Sequence, residues 1–481
     1  MINVQKLICQ FLAAQEKESI TVAVVGDILL DEYYEVRVNR ISPEFPVPVM
    51  LSRTEGPHLV LPGGAALTAW ALTPFNTKVA LFGCVDNASR IQLESFPFDL
   101  MTENHHHQTP LKRRFYDKDF ALPRWDIEEQ DDFNDENWEA ARERLVLRLD
   151  HYIEKEDPDI IILSDYGKGL FQDGFAQEVI SLCNDLDVPT IVDPKGGDLS
   201  QWYGCTIFKP NKSEADSFVK TYDISDSHAG LTQELHCEAT VVTAGGDGVV
   251  TYPKKQRGSC YTIDKPVSGH PLGYSGAGDC FAAVYAIAYA HNFNVREASM
   301  IAYNAASIYV QTKYNNPVTP HQLRKHIDPI GAKMPSSQEL TKILEVTKGT
   351  RVFTNGCFDL LHGGHIHVMQ EAKKIGDVLI VAVDSDENVK RLKGEDRPVN
   401  SLYQRMQIIA SLGFVDFVVP FTGEVDELLR QLPKMDFLVK SSDYKADEVI
   451  GADLVEQVVI VPRLDGYSTT DTVAKIKNKT Q

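Results

Sequence analysis

Short β-branched runs bounded by turn residues recur along the whole chain, at 21–25, 160–163, 190–192, 240–243, 352–354, 378–383, 417–419 and 458–461. Runs of this length and composition read as buried strands. Helical stretches such as 138–155 and 296–313 lie between them. That alternation implies parallel sheets covered by helices on both faces, so the fold class is α/β. A polar stretch at 331–350 precedes a fresh strand with its own set of alternating elements. We therefore expect a first domain over 1–330, a linker over 331–347 and a second domain over 348–481. Within the first, Val36, Val38, Val47 and Val49 alternate with polar residues or prolines and read as a small exposed sheet, either a lid over a site or an edge hairpin.

The 481 residues carry 48 Lys plus Arg against 68 Asp plus Glu, a net charge of -20 that disfavours a grip on nucleic acid or an anionic membrane. Eight scattered cysteines without a C-x-x-C pair fit a reducing cytosol, and no structural metal is expected. The first twenty residues lack the pattern of a secretory signal, and the apolar run 280–290 is too short to span a bilayer. A cytoplasmic location follows. His105, His106 and His107 have no ligand-type neighbours at metal-binding spacing and read as a solvated loop.

Ser275-Gly276-Ala277-Gly278-Asp279 runs straight into that apolar stretch, which puts a glycine loop at a helix N-terminus. Free N–H groups there face an anion. Asp279 could take a proton from an attacking hydroxyl while the loop stabilises a transferred phosphoryl group, or it could merely cap the helix. Asn211 and Glu214 follow a strand and offer an amide and a carboxylate for Mg²⁺ through its waters. Thr243 to Gly248, with Gly246, forms a second glycine turn, while Gly26-Asp27 and Gly63-Gly64 could meet a polyol.

In their order these segments resemble the ribokinase-like carbohydrate kinases over about residues 15–325. The closer resemblance is to the kinase half of the bifunctional heptose 7-phosphate kinase and heptose 1-phosphate adenylyltransferases of bacterial lipopolysaccharide synthesis. It is carried by 25–27 with Asp31, by Arg40-Ile41-Ser42-Pro43-Glu44 and Pro46 to Val49, by Ser164-Asp165-Tyr166 with Lys168-Gly169, and by Asp193-Pro194-Lys195-Gly196. The resemblance implies a ribokinase-like domain with a small β lid. It also implies Asp279 as base, with Gly276, Ala277, Gly278, Asn211, Glu214, Thr243, Gly246, Gly248 and Asn304 around the nucleotide. Asp27, Asp31, Arg40, Gly63, Gly64, Lys112, Arg114 and Arg124 would meet the sugar phosphate, whose charge suits fixed cations. Two positions depart from the pattern. Leu67 stands where an asparagine is usual, and Gly273 replaces an aspartate that would bind a monovalent cation, so potassium activation does not follow.

From Arg351 the chain reads Arg-Val-Phe-Thr-Asn-Gly-Cys-Phe-Asp-Leu-Leu-His-Gly-Gly-His, a strand, a turn and a helix start. His362 and His365 lack further zinc ligands nearby and instead suit nucleotide phosphates, donating to charge that builds at the α-phosphorus. The string resembles the His-x-Gly-His nucleotidyltransferases over about 348–478, which implies a Rossmann-like domain with a parallel sheet. By that resemblance Thr354, Asn355, Gly356, Phe358, Asp359, Lys393, Arg397, Lys440, Arg463, Ser468, Thr469 and Thr470 hold the nucleotide. Adenine as the base follows from the fusion, since the Arg463 segment also resembles cytidylyltransferases.

The expected activities are phosphorylation of D-glycero-D-manno-heptose 7-phosphate at O1 and adenylyl transfer to heptose 1-phosphate. Mg²⁺ and ATP serve the reactions, small molecules are the partners, and a homodimer through the kinase domain is implied. Rival readings are a pair acting on another sugar or polyol phosphate, with CTP as the alternative nucleotide, and a kinase-inactive scaffold carrying an active transferase.

Overall fold

The structure is a computed structural model that describes residues 3–462 and 464, apart from 53, 105–107, 119, 129–135, 226, 255–260, 264–274, 313 and 446–447. The chain divides into two compact units, Met1–Leu323 and Arg324–Gln481. No helix among the described residues is long and apolar enough to cross a membrane.

The first unit is built on a sheet whose described strands run, edge to edge, Tyr261–Ile263, Val249–Pro253, Ala239–Thr243, Ile207–Phe208, Thr190–Asp193, Ile160–Ser164, Ile20–Gly26, Thr77–Phe82 and Asp99–Leu100. From Ala239–Thr243 onward the pairing is parallel, and only the first two strands join antiparallel. Alternate residues enter opposite cores, as the period of a strand requires. Val25, Phe82 and Leu163 pack with Leu145, Phe175 and Val179 from the helices Glu136–Glu156 and Phe175–Asp185. On the other face the helix Ala277–Ala290 lies between Ala65–Leu72 and Val295–Tyr309. Every residue from Asp279 to Ala288 is buried, which is why that stretch is apolar all round rather than amphipathic.

The small sheet expected from the valine alternation is present and larger than the sequence suggested. Ile28–Ile41 pairs antiparallel with Leu59–Gly64 and Pro48–Ser52, and parallel with Leu111–Asp117, which in turn pairs with Phe120–Ile127. Ile41, Phe45, Phe120 and Trp125 stand exposed on it.

The second unit holds a parallel sheet in the order Phe417–Phe421, Val378–Asp384, Arg351–Gly356, Met435–Ser441, Val455–Val461. Val352, Leu379 and Val381 face one core, and Phe353, Ile380 and Ala382 the other. The stretch 331–347, expected as a linker, is folded. Ser337–Val346 is a helix started by a capping box of Ser336 and Glu339, and its Leu340 and Leu344 lie fully buried beside Phe353 and Leu428. Its polar composition reflects only the solvent face of an amphipathic helix.

Candidate active sites

In the first unit the parallel strands Ile20–Gly26, Ile160–Ser164, Thr190–Asp193 and Ala239–Thr243 end on the same side of the sheet, where crevices of open α/β sheets form. A cavity of about 570 Å³ opens there, lined by Asp193, Lys209, Asn211, Glu214, Thr243, Gly246 and Gly248, and closed by Gly276 to Asp279. Gly276 caps the helix with φ +84°, a conformation that favours glycine. A Cβ there would also meet the Tyr309 hydroxyl at 2.2 Å and Leu67 Cδ2 at 2.8 Å.

Asp279 is buried at the start of this helix. Its Oδ1 accepts hydrogen bonds from Thr68 Oγ1 at 3.0 Å and Tyr166 Oη at 2.7 Å, and its Oδ2 lies 2.7 Å from the same phenol. Burial, with a contribution from nearby Asp193, pushes the carboxyl up to about 6. Asp193 pairs with buried Lys209 at 2.8 Å, although burial still outweighs that partner and raises the Asp193 carboxyl. Asn211 caps the helix Lys212–Thr221 in a reciprocal capping box with Glu214, whose Oε2 accepts from the Asn211 N–H at 2.8 Å. Glu214 Oε1 lies 3.7 Å from Lys195 Nζ. One carboxylate oxygen beside the cavity fits a water-mediated contact to Mg²⁺ and not a multidentate metal cage.

The residues expected at the sugar separate into groups. Lys112 sits with Nζ 5.0 Å from the centre of the Tyr166 ring. Arg114 donates from Nε to Asp31 Oδ1 at 2.7 Å and from Nη2 to Ser275 Oγ at 2.8 Å, joining the small sheet to the glycine loop. Asn315 Nδ2 donates to the other Asp31 oxygen at 2.9 Å. Gly63 brings bare backbone against Asp31, and Gly64, at φ +58°, starts the helix that carries Thr68.

Two expectations, Asp27 and Asn304, are corrected. Asp27 is buried and accepts from the backbone N–H groups of Tyr166, Lys168 and Leu170 at 2.8, 3.0 and 3.2 Å, so it shapes the 166–170 loop and has little capacity left for a sugar hydroxyl. Asn304 donates back to Met300 O within its own helix, and Tyr303, Ala306 and Ser307 line the cavity instead. Arg124 lies half-exposed on Asp126, and Arg40 is exposed near the end of its strand. Neither Asp27 nor Asn304 lines the cavity, and Lys112, Arg114, Arg124 and Arg40 also stand outside its lining. Tyr166, Thr68 and Lys209 were not assigned from sequence. Tyr166 stood in a quoted string and Thr68 directly follows Leu67, yet neither is marked as a partner of Asp279 by its local sequence, and a buried lysine gives no local signal.

In the second unit a cavity of about 690 Å³ sits at the carboxyl ends of Arg351–Gly356, Val378–Asp384 and Met435–Ser441. It is lined by Thr354, Asn355, Gly356, Phe358, His362, His365, Lys393 and Lys440, together with Asp384 and Tyr444. His362 caps the helix Gly363–Ile375, and its ring stacks on that of His365 with centroids 3.8 Å apart. Burial, with His362 and Lys393 adding, pushes His365 down to about 4, so it is a neutral imidazole at physiological pH. Asn355 Oδ1 and His365 Nδ1 are buried without a hydrogen-bond partner among the described residues, as expected of groups that await a ligand. Lys440 donates to Asn355 O at 3.3 Å and lies over Tyr444, and burial pushes its ammonium down to about 8.

Asp359 and Arg397 do not line this cavity. They pair with each other, and Asp359 Oδ1 accepts from the Val399 N–H at 2.7 Å, which fixes the turn before the helix Leu402–Ala410. Thr354 lines the cavity while its hydroxyl donates to Val439 O at 2.9 Å, stitching two strands. Fully buried Arg405 donates to Cys357 O and Asp386, holding the loop after the first strand. Arg463, Ser468, Thr469 and Thr470 lie outside the described residues, as do His105 to His107 and Gly273.

Residues 62–322 match the pfkB family carbohydrate kinases, and residues 353–474 match the cytidylyltransferase-like family. The chain is 34% identical over 478 residues to the bifunctional protein HldE of Hydrogenovibrio crunogenus, spanning 95% of this chain and 96% of that one. It is 35% identical over 477 residues to bifunctional protein HldE of Haemophilus influenzae, at 95% and 97% coverage. It is 32% identical over 479 residues to that of Campylobacter jejuni subsp. doylei, at 98% and 99%. Among solved structures, phosphofructokinase-2 from Escherichia coli in complex with potassium aligns at a TM-score of 0.51 and 16% identity, over 64% of this chain and 98% of that chain. This likeness concerns the fold.

Proposed function

The chain belongs to the family of the bifunctional HldE proteins, and on that premise we propose that it carries out two steps of ADP-heptose synthesis at two sites. In the first, O1 of D-glycero-D-manno-heptose 7-phosphate attacks the γ-phosphorus of ATP. The bond to the β-phosphate oxygen breaks and ADP leaves. Asp279 takes the hydroxyl proton, and the N–H groups at Gly276 to Gly278 stabilise the charge on the phosphoryl oxygens. Lys112 and Arg114 hold the distal phosphate, Asp31 fixes Arg114, and Asn211, Glu214, Thr243, Gly246 and Gly248 surround the nucleotide. Mg²⁺ bound with ATP would neutralise phosphate charge, reached through water by Glu214.

In the second, a phosphate oxygen of heptose 1-phosphate attacks the α-phosphorus of ATP and pyrophosphate leaves. The nucleophile is already ionised, so no general base is required. His362, His365, Lys393 and Lys440 stabilise the developing charge, with Arg463 and the hydroxyls of Ser468 to Thr470 assigned by family resemblance. ATP as the substrate of both steps supports a cytoplasmic location, and the exposed apolar residues of the small sheet support a homodimer through the kinase unit.

The observation that carries this reading is the buried Asp279 carboxyl at the N-terminus of a helix whose glycine loop closes the cavity of Asn211, Glu214 and Thr243. Two assays on the full chain test it: ADP release with a panel of sugar and polyol phosphates, and pyrophosphate release from ATP or CTP with heptose 1-phosphate. Preference for the heptose phosphates and ATP is expected. A better substrate of another class, or preference for CTP, would overturn the assignment.

A further inference from the structure

Asp279 receives more hydrogen bonds than its place at a helix start requires, and they are unevenly shared. Oδ1 has Thr68 at 3.0 Å and Tyr166 at 2.7 Å, so both of its lone pairs meet donors. Among the described residues Oδ2 has only the same Tyr166 hydroxyl, at 2.7 Å. A phenol carries one proton, so Oδ2 keeps a lone pair that no group among the described residues fills. The ring beneath this hydroxyl is the seat of Lys112, whose Nζ lies 5.0 Å from its centre. A cation over an aromatic face is attracted to it, and the same cation makes the phenol a better donor.

We infer that Tyr166 is a positioning residue of the kinase, which turns the free lone pair of Asp279 Oδ2 toward the reacting hydroxyl and seats Lys112, the cation for the distal phosphate, on its ring. The inference rests on the kinase reading of this site. Its consequence is that one side chain fixes the distance between the phosphate anchor and the base. A sugar phosphate of a different length then binds without bringing its hydroxyl to Oδ2. Tyr166 remains a donor throughout, because burial and the Asp279 carboxylate hold its phenol far above the usual range. Its hydrogen bond favours the ionised carboxylate, as do Thr68 and Lys209, while burial and Asp193 oppose them. The other titratable groups near this pair are Asp31, Lys112, Tyr309 and Cys280.

The test uses full-length protein labelled with ¹³C-carboxyl aspartate, with the Asp279 signal assigned by its absence in Asp279→Asn. Tyr166→Phe keeps the ring and removes the hydroxyl. It should move the Asp279 titration to higher pH in ligand-free protein, lower kinase kcat by about tenfold or more, and leave KM for the sugar phosphate near the parental value. Tyr166→Leu removes the seat as well and should also raise KM. Adenylyl transfer by the same chain should stay at the parental rate in both. An active Tyr166→Phe with an unmoved Asp279 titration and parental kcat would overturn the inference alone. A parent that phosphorylates no sugar phosphate would overturn the kinase reading on which it rests.

Discussion

Leu67 packs beneath Gly276, so that a Cβ on the glycine would stand 2.8 Å from Leu67 Cδ2. Where the family resemblance implies an amide, this chain has an apolar floor under its glycine loop. Leu67 is buried, and an asparagine in its place would bring an amide into an apolar contact. Leu67→Asn is expected to destabilise the first unit by about 1–3 kcal/mol, read by thermal unfolding, without raising kinase turnover. Gly276→Ala adds strain at φ +84° and a clash with Tyr309, and should lower kinase kcat by about 10²-fold while adenylyl transfer is unchanged.

The proposed base, Asp279, is held at a cost to stability. Moving a buried carboxyl from 3.8 to about 6 corresponds to about 3 kcal/mol against the ionised form. Since the folded value is the raised one, this cost is fully present above pH about 6, shrinks as pH falls, and vanishes below about 4. Asp279→Asn should therefore stabilise the first unit by about 1–3 kcal/mol at pH 8 and by nothing measurable at pH 4, while abolishing kinase turnover. Calorimetry of both proteins across that range checks the sign. In the parent, kinase kcat/KM should fall as pH drops through about 6.

The second site titrates differently. His365 ionises at about 4 and Lys440 at about 8. Transferase kcat/KM, which reports the free enzyme, should be level from pH 6 to 7 and decline above about 8 as Lys440 loses its proton. Lys440→Met should remove that alkaline decline together with much of the activity. His365→Ala should cost about 10²–10³-fold in transfer and leave the kinase untouched.

The helix Ser337–Val346 supplies Leu340 and Leu344 to the second core. A fragment that begins at 348 lacks both and should unfold at lower denaturant than one that begins at 334. Leu340→Ala in the full chain should destabilise the second unit by about 2–5 kcal/mol. Urea unfolding followed by far-UV circular dichroism compares the three.

Motifs that lie on a strand, a turn and a helix start in sequence were readable because their geometry is local. Asp279 with its glycines, and His362 with His365, stand where the spacing implied. Contacts that join distant segments were not readable. Asp27 and Asp359 are carboxylates in motif positions, yet backbone donors from 166–170 and from Val399 claim them, and only the fold brings those amides near. Tyr166 and Thr68 reach Asp279 from 113 and 211 residues away in sequence. Composition also misled at 331–347, because a one-sided helix and a polar linker have similar residue content.

In the proposed function one chain carries two independent phosphorus chemistries, each governed by its own residue. The direct measurement is phosphorus NMR of products from ATP and Mg²⁺ with heptose 7-phosphate, and separately with heptose 1-phosphate, using the parent, Asp279→Asn and His365→Ala. We predict that the parent gives the 1,7-bisphosphate from the first substrate and ADP-heptose with pyrophosphate from the second. Asp279→Asn should lose only the first product and His365→Ala only the second. Bisphosphate formation that survives in Asp279→Asn, or loss of both products in either variant with the fold intact, would rule out two independent sites governed by these residues.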